Sequence, residues 1–163
     1  MKRAVLGLGS NLGDREKNLQ EVIQAFQRLP KTQVLSISRF YRTPPVEVTT
    51  EQGEYLNGCI QILTDFSPRA LLGICLGIEA ALGRVRKEYH GERIIDIDLL
   101  LYEDEKSDDE ELTLPHPRML NRAFVLLPLK DLFPEGEALG LNFKQKLKEV
   151  DSTGISILES TQF

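Results

Sequence analysis

Ile95-Asp96-Ile97-Asp98-Leu99-Leu100-Leu101-Tyr102 is the stretch on which the fold turns. The run is apolar and β-branched at its start, which marks a buried strand. Side chains alternate along a strand, so Asp96 and Asp98 share one face. Leu100 continues that face inward, while Ile95, Ile97 and Leu99 occupy the other. Neighbouring carboxylates raise each other's pKa and resist burial unless a cation neutralises them. Hard oxygen ligands favour magnesium when phosphates complete its shell. The alternative, an edge strand carrying two solvated aspartates, fits the apolar opposite face poorly.

Upstream of this strand, Arg3 to Gly9 is predicted to be a first strand, and Gly9-Ser10-Asn11-Leu12-Gly13-Asp14 a turn with Asp14 as N-cap. Leu19, Val22, Ile23, Phe26 and Leu29 recur at helical spacing up to Pro30. Gln33 to Arg42 alternates as a second strand, broken by Thr43-Pro44-Pro45, and Tyr55 to Thr64 is a third, antiparallel to it. Ser67-Pro68 opens a helix whose buried face includes Leu71, Cys75, Ile78 and Leu82, and Gly83 ends it. Beyond the aspartate strand, the acidic stretch from Glu103 to Glu111 is predicted to be a solvated excursion. A third helical region is expected from about Asn121 to Leu132, interrupted near Pro128, and a short helix from Phe143 to Val150. The end of the chain is expected to be weakly ordered.

The order β-α-β-β-α-β with antiparallel neighbours is the split βαβ, ferredoxin-like pattern. The fold class is therefore α+β, with additional C-terminal helices covering the other face of a mainly antiparallel sheet in an α-β-α stack. At 163 residues the chain is expected to be a single domain, residues 1–163, burying roughly 70% of the surface its unfolded form exposes. A net charge of −5 argues against a broad nucleic-acid surface. The apolar run after Met1-Lys2-Arg3 is soon ended by Gly7, Gly9 and Ser10-Asn11, and is expected to be too short for a signal-peptide core or a membrane span. Cys59 and Cys75 lie in apolar segments and are expected to be buried thiols, so the cytoplasm is the default compartment.

Arg84, Arg86, Lys87 and Arg93 form a local positive cluster just ahead of the aspartates. Guanidinium forks grip phosphate oxygens at two points, which suits a polyphosphate shared with a metal. His116 is held between Pro115 and Pro117, with Arg118 and Arg122 nearby. It suits a phosphate donor and a loop-structuring residue equally. The chain's only other histidine is His90, and no cysteine has zinc-ligand spacing to either. Tyr55 and Asn57 share a strand face and Phe124 opens a helix; two rings and an amide suit a flat heterocycle, although each ring alone is ordinary core packing.

Gly9-Ser10-Asn11-Leu12-Gly13, Phe40-Tyr41-Arg42-Thr43-Pro44-Pro45, Tyr55-Leu56-Asn57, Glu79 with Gly83-Arg84-Val85-Arg86, Arg93-Ile94-Ile95-Asp96-Ile97-Asp98, and Pro115-His116-Pro117-Arg118 followed by Asn121-Arg122-Ala123-Phe124 occur in order. Together they resemble the 6-hydroxymethyl-7,8-dihydropterin pyrophosphokinase family of the folate pathway over nearly the whole chain. The resemblance implies transfer of pyrophosphate from ATP to the pterin hydroxymethyl group, with release of AMP. It implies Asp96 and Asp98 as ligands of two magnesium ions, and Arg84 and Arg93 beside them as catalytic cations. Glu79, Arg84, Arg86, Arg93, His116, Arg122 and Thr113 become nucleotide contacts, with Glu79 on the ribose. Tyr55 and Phe124 sandwich the pterin, Asn57 reads its edge, and Thr43, Pro44 and Val46 line its loop. The family's mobile loops correspond to 46–53 and 84–92. His90-Gly91-Glu92-Arg93 stands where many members carry Trp and Gly-Pro-Arg. The implied partners are ATP and the dihydropterin, with no nucleic acid or membrane, acting on a monomer. Two competing readings remain: a magnesium-dependent kinase or nucleotidyltransferase for another heterocyclic alcohol, and a ferredoxin-like RNA- or regulator-binding module, which the acidic balance opposes.

Overall fold

The computed structural model describes residues 1–44, 54–83 and 94–159. Strand β1 (Lys2–Ser10) leads into helix α1 (Arg15–Arg28). Asp14 caps α1 by accepting the Lys17 N–H at 3.2 Å, and Leu19, Val22, Ile23 and Phe26 form its buried stripe. Strands β2 (Thr32–Ile37), β3 (Phe40–Thr43) and β4 (Tyr55–Thr64) follow. Helix α2 (Pro68–Leu82) is capped by Ser67 and ends at Gly83, and β5 (Asp96–Tyr102) is the aspartate strand.

The sheet runs β10-β3-β4-β1-β5, with β2 also paired to β4 and every neighbour antiparallel. This is the expected ferredoxin-like α+β core. On one face α1 and α2 pack Leu19, Phe26 and Leu71 against Leu6, Ile60, Ile97 and Leu99. On the other face helix α3 (Ala123–Leu132) brings Val125, Leu126 and Leu129 onto Val5, Leu100 and Leu101. Helix α4 (Lys144–Glu149) follows Phe143, which is fully buried in that second core.

The second strand is divided where one continuous strand was expected. The Ser38 hydroxyl accepts the Cys59 N–H at 2.8 Å, and Ser38 donates its own N–H to the Cys59 carbonyl at 2.9 Å. A side chain thus replaces part of the ladder between β2 and β3. A bulge in β5 has a related effect: Leu6 pairs with Leu99 and Val5 with Leu101, leaving Leu100 opposite no residue. Leu100 and Leu101 consequently both enter the second core, and Tyr102 returns to the first.

Two more expectations need correction and one is sharpened. The acidic stretch is mostly exposed, as expected, but part of it is ordered as strand β6 (Ser107–Asp109) paired with β7 (Leu112–Leu114), and it is tied back by Lys2–Asp104, Arg3–Glu103 and Arg69–Asp109 ion pairs. Pro128 does not interrupt α3, because the proline is itself buried beside Leu126 and Leu129, and that packing outweighs one missing N–H bond. After the β8 (Glu137–Ala138) and β9 (Leu141–Asn142) ribbon and α4, the described part of the C-terminal segment, through residue 159, is not loose. Strand β10 (Ser156–Leu158) pairs with β3, covering what would otherwise be an open sheet edge.

Candidate active site

The second face is not packed along its whole length. At the Ser10 end of β1 a cavity of about 510 Å³ opens between the sheet and the start of α3. Its floor carries Asp96 and Asp98 from β5, then Gly7 and Gly9 from β1, then Tyr55 and Asn57 from β4. Thr43 and Pro44 close the β3 side, while Arg122 and Phe124 stand over the sheet. The register explains the opening. Gly9 pairs with Asp96 and Gly7 with Asp98, so β1 places no side chain beside either carboxylate. A Cβ at Gly9 would lie 2.9 Å from the Asn57 Oδ1, and one at Gly7 would lie 3.3 Å from Leu100.

Asn57 is 8% exposed and donates an Nδ2–H to the Thr43 Oγ1 at 2.8 Å, which fixes the amide plane over Gly9. The Arg122 guanidinium carbon lies 5.4 Å from the centre of the Phe124 ring, a cation–π contact that orders both at the helix start. Helix α3 is anchored above β3 by Asp131. Its carboxylate accepts from the Arg39 backbone N–H at 3.1 Å, from Arg39 Nη2 at 2.8 Å and from the Tyr41 hydroxyl at 2.9 Å. Burial and this carboxylate push the Tyr41 hydroxyl up to about 12, so it stays a donor. Cys59 also lines the floor; burial raises its thiol, which stays protonated.

Three expected residues stand apart from the cavity lining. Glu79 accepts the Ile97 N–H at 2.8 Å, gripping β5 at the residue between the two aspartates. Strand β5 is an edge strand after all, with Asp96 and Asp98 half-buried and its apolar face covered by α2. His116 donates its backbone N–H to the Leu100 carbonyl at 2.9 Å, and its Nδ1 accepts the Arg118 N–H at 3.3 Å. A neutral His116 therefore carries its proton on Nε2. Burial, then Arg122 and Arg118, lower its pKa from the ordinary value, and Asp96 opposes them. Thr113 donates its hydroxyl to the Asp109 carbonyl at 2.9 Å within the β6–β7 ribbon. Arg84, Arg86, Arg93 and Val46, and both expected mobile loops, lie outside the described residues.

The cavity also has walls that sequence reading missed. Gly7 and Gly9 alternate along β1, a pattern that marks close approach on one strand face, but Gly9 reads more readily as part of the following turn. Asp151, Thr153 and Ile155 line the outer side, brought there by β10. No local signal announces them, because only sheet pairing places them.

Among known proteins, residues 5–134 match the family described as 7,8-dihydro-6-hydroxymethylpterin-pyrophosphokinase (HPPK). The chain belongs to that family. A 2-amino-4-hydroxy-6-hydroxymethyldihydropteridine pyrophosphokinase of Methylorubrum extorquens is 43% identical over 159 residues, covering 98% of this chain and all of that protein. The enzyme of the same name from Bacillus subtilis is 38% identical over 134 residues, covering 82% of this chain and 80% of its own length. The HPPK-DHPS of Plasmodium falciparum crystallised with SDX-DHP shares the fold, with a TM-score of 0.66 at 16% identity over 91% of this chain. This pyrophosphokinase chain spans 43% of that longer one. Membership in the family carries pyrophosphokinase activity on a hydroxymethyldihydropterin in folate biosynthesis. No helix among the described residues is long and apolar enough to cross a membrane.

Proposed function

We propose that the chain transfers the β,γ-pyrophosphoryl group of ATP to the hydroxymethyl oxygen of 6-hydroxymethyl-7,8-dihydropterin, releasing AMP, as a cytoplasmic monomer. The observation that carries this reading is one cavity with a carboxylate pair at one end and two aromatic rings at the other. Tyr55 and Phe124 take the flat pterin between them, and Asn57, Thr43 and Pro44 hold its edge. The hydroxymethyl group then faces Asp96 and Asp98 across the bare glycine floor.

No group of three His, Cys, Asp or Glu able to hold a metal occurs among the described residues. Two carboxylates completed by phosphate oxygens are nevertheless the donor set that magnesium takes from a nucleotide, so Asp96 and Asp98 fit two such ions. Bound magnesium would neutralise phosphate charge and make the hydroxyl more acidic. The protein's remaining work is positional. The hydroxymethyl oxygen forms its bond to the β-phosphorus as the bridge to the α-phosphate breaks, the electron pair leaves on AMP, and the hydroxyl proton passes to solvent. Glu79 keeps the aspartate strand in place through Ile97 and is also the proposed ribose contact. Arg122 and the His116 Nε2–H are proposed donors to phosphate oxygens, joined by Arg84, Arg86 and Arg93, with Thr113 a further nucleotide contact and Val46 a pterin contact. No covalent enzyme intermediate is required.

The test is a coupled assay of AMP release with Mg-ATP and the dihydropterin. AMP together with a pyrophosphorylated pterin supports the reading. ADP or inorganic pyrophosphate as product would reject it.

A further inference from the structure

The cavity has a direction set by strand order. Asp96 and Asp98 lie on β5, β1 and β4 come next, and β3 with its partner β10 lies at the far side. Neighbouring strands are about 4.8 Å apart, so β5 and β3 lie about 14 Å apart, a span that a flat two-ring system covers only together with the side chains and any metal ion between it and the strands. If its reacting hydroxymethyl faces the aspartates, its opposite end faces β3 and the turn ahead of β10. In a pterin that opposite end is the aminopyrimidinone edge, where the 2-amino group and a ring N–H donate hydrogen bonds.

The turn from Asp151 to Ile155 lies at the cavity's outer side, with Asp151 and Thr153 exposed there and free to meet such an edge. Asp151 Oδ1 accepts both the backbone N–H of Thr153 at 2.9 Å and the Thr153 hydroxyl at 2.6 Å. These bonds hold the Asp151 carboxylate below its usual pKa and leave Oδ2 with no hydrogen bond among the described residues. Gly154, at φ +83°, lets the turn fold against Pro44: a Cβ there would sit 3.4 Å from the Pro44 ring. Ser156 to Leu158 then pair with β3, fixing the turn beside Thr43. Asp151 and Thr153 line the same cavity as Tyr55 and Phe124, although they follow the segment matched by the family.

We propose that Asp151 is a specificity-determining residue, its carboxylate accepting hydrogen bonds from the amino-pyrimidinone edge of the pterin at the end remote from Asp96 and Asp98. The inference rests on the pyrophosphokinase reading above. A charge-assisted acceptor facing an N–H-rich edge favours 2-amino heterocycles and disfavours those presenting an oxygen there.

Steady-state kinetics of the full chain with Mg-ATP test it. D151N preserves shape and the Oδ1 contacts to Thr153 but removes the charge. It should raise KM for the dihydropterin by about tenfold, with kcat and KM for ATP changed by less than about twofold. The penalty for a pterin analogue lacking the 2-amino group should shrink by a similar factor in D151N, which loss of rigidity alone would not produce. If D151N behaves as wild type and only D151A is impaired, the carboxylate merely forms the turn and the inference is overturned. Equal rises in both KM values overturn it as well. A wild-type chain that releases no AMP with this alcohol overturns the reading of the site and the inference with it.

Discussion

Strand β1 shows two different surfaces to its two neighbouring layers. Leu6 and Leu8 face α1 and α2 and are buried, whereas Gly7 and Gly9 face the α3 side and leave a cavity. The division continues across the sheet. Strand β5 turns Ile97 and Leu99 to the first layer and Asp96 and Asp98 to the second; β4 turns Leu56 and Ile60 one way and Tyr55 and Asn57 the other. The same strands thus stabilise the fold with one set of alternate residues and line the cavity with the other. A rigid apolar face supports the site without belonging to it, because strand alternation separates the two by a single residue.

That separation can be broken experimentally, one face at a time. Asp96→Ala or Asp98→Ala should lower AMP release by at least about 10²–10³-fold while the thermal midpoint stays near that of wild type. Substantial residual turnover would remove the carboxylates from the chemistry. Leu6→Ala, one residue from Gly7 but on the packed face, should do the reverse. It should cost about 2–5 kcal/mol in urea unfolding and leave KM for both substrates unchanged in the folded fraction. A selective rise in pterin KM there would show that the faces are coupled.

Gly9→Ala sharpens the contrast, since it adds one methyl to the functional face. The new Cβ presses on the Asn57 Oδ1, so KM for the pterin should rise more than KM for ATP, with about 1–3 kcal/mol of overpacking lost in stability. The smallest effect is expected at His116. Its folded pKa lies below the unfolded value of about 6.5, so between the two the unfolded chain binds more protons. This contribution is complete above pH 6.5 and is lost as pH falls through the folded pKa. His116→Gln should flatten that slope in urea titrations of the ligand-free protein; a steeper slope in the variant would show the sign to be wrong.

Much of this plan was legible in the chain. The i, i+2 aspartates in an apolar strand, the helical stripes from Leu19 and Leu71, and the caps at Asp14 and Ser67 depend on nearest neighbours, and the structure carries each of them. Features set by distant partners were less visible. Ser38 divides a strand because it finds Cys59, Pro128 is tolerated because the second core surrounds it, and the acidic stretch is restrained by Lys2, Arg3 and Arg69. The C-terminal wall is the largest such case, since 156–158 is a strand through its pairing with β3, more than a hundred residues earlier in the chain.

Local alternation and spacing therefore determined the strands, the helices, the face on which Asp96 and Asp98 lie, and the residue types suited to a metal, a phosphate and a flat ring. Tertiary structure alone decided that Gly7 and Gly9 lie beside the aspartates, that Asp131 holds α3 over β3, and that Asp151 reaches the cavity. The physical reason is range. Periodicity is imposed by the backbone over a few residues, whereas a cavity forms only where strands far apart in sequence place small side chains in register.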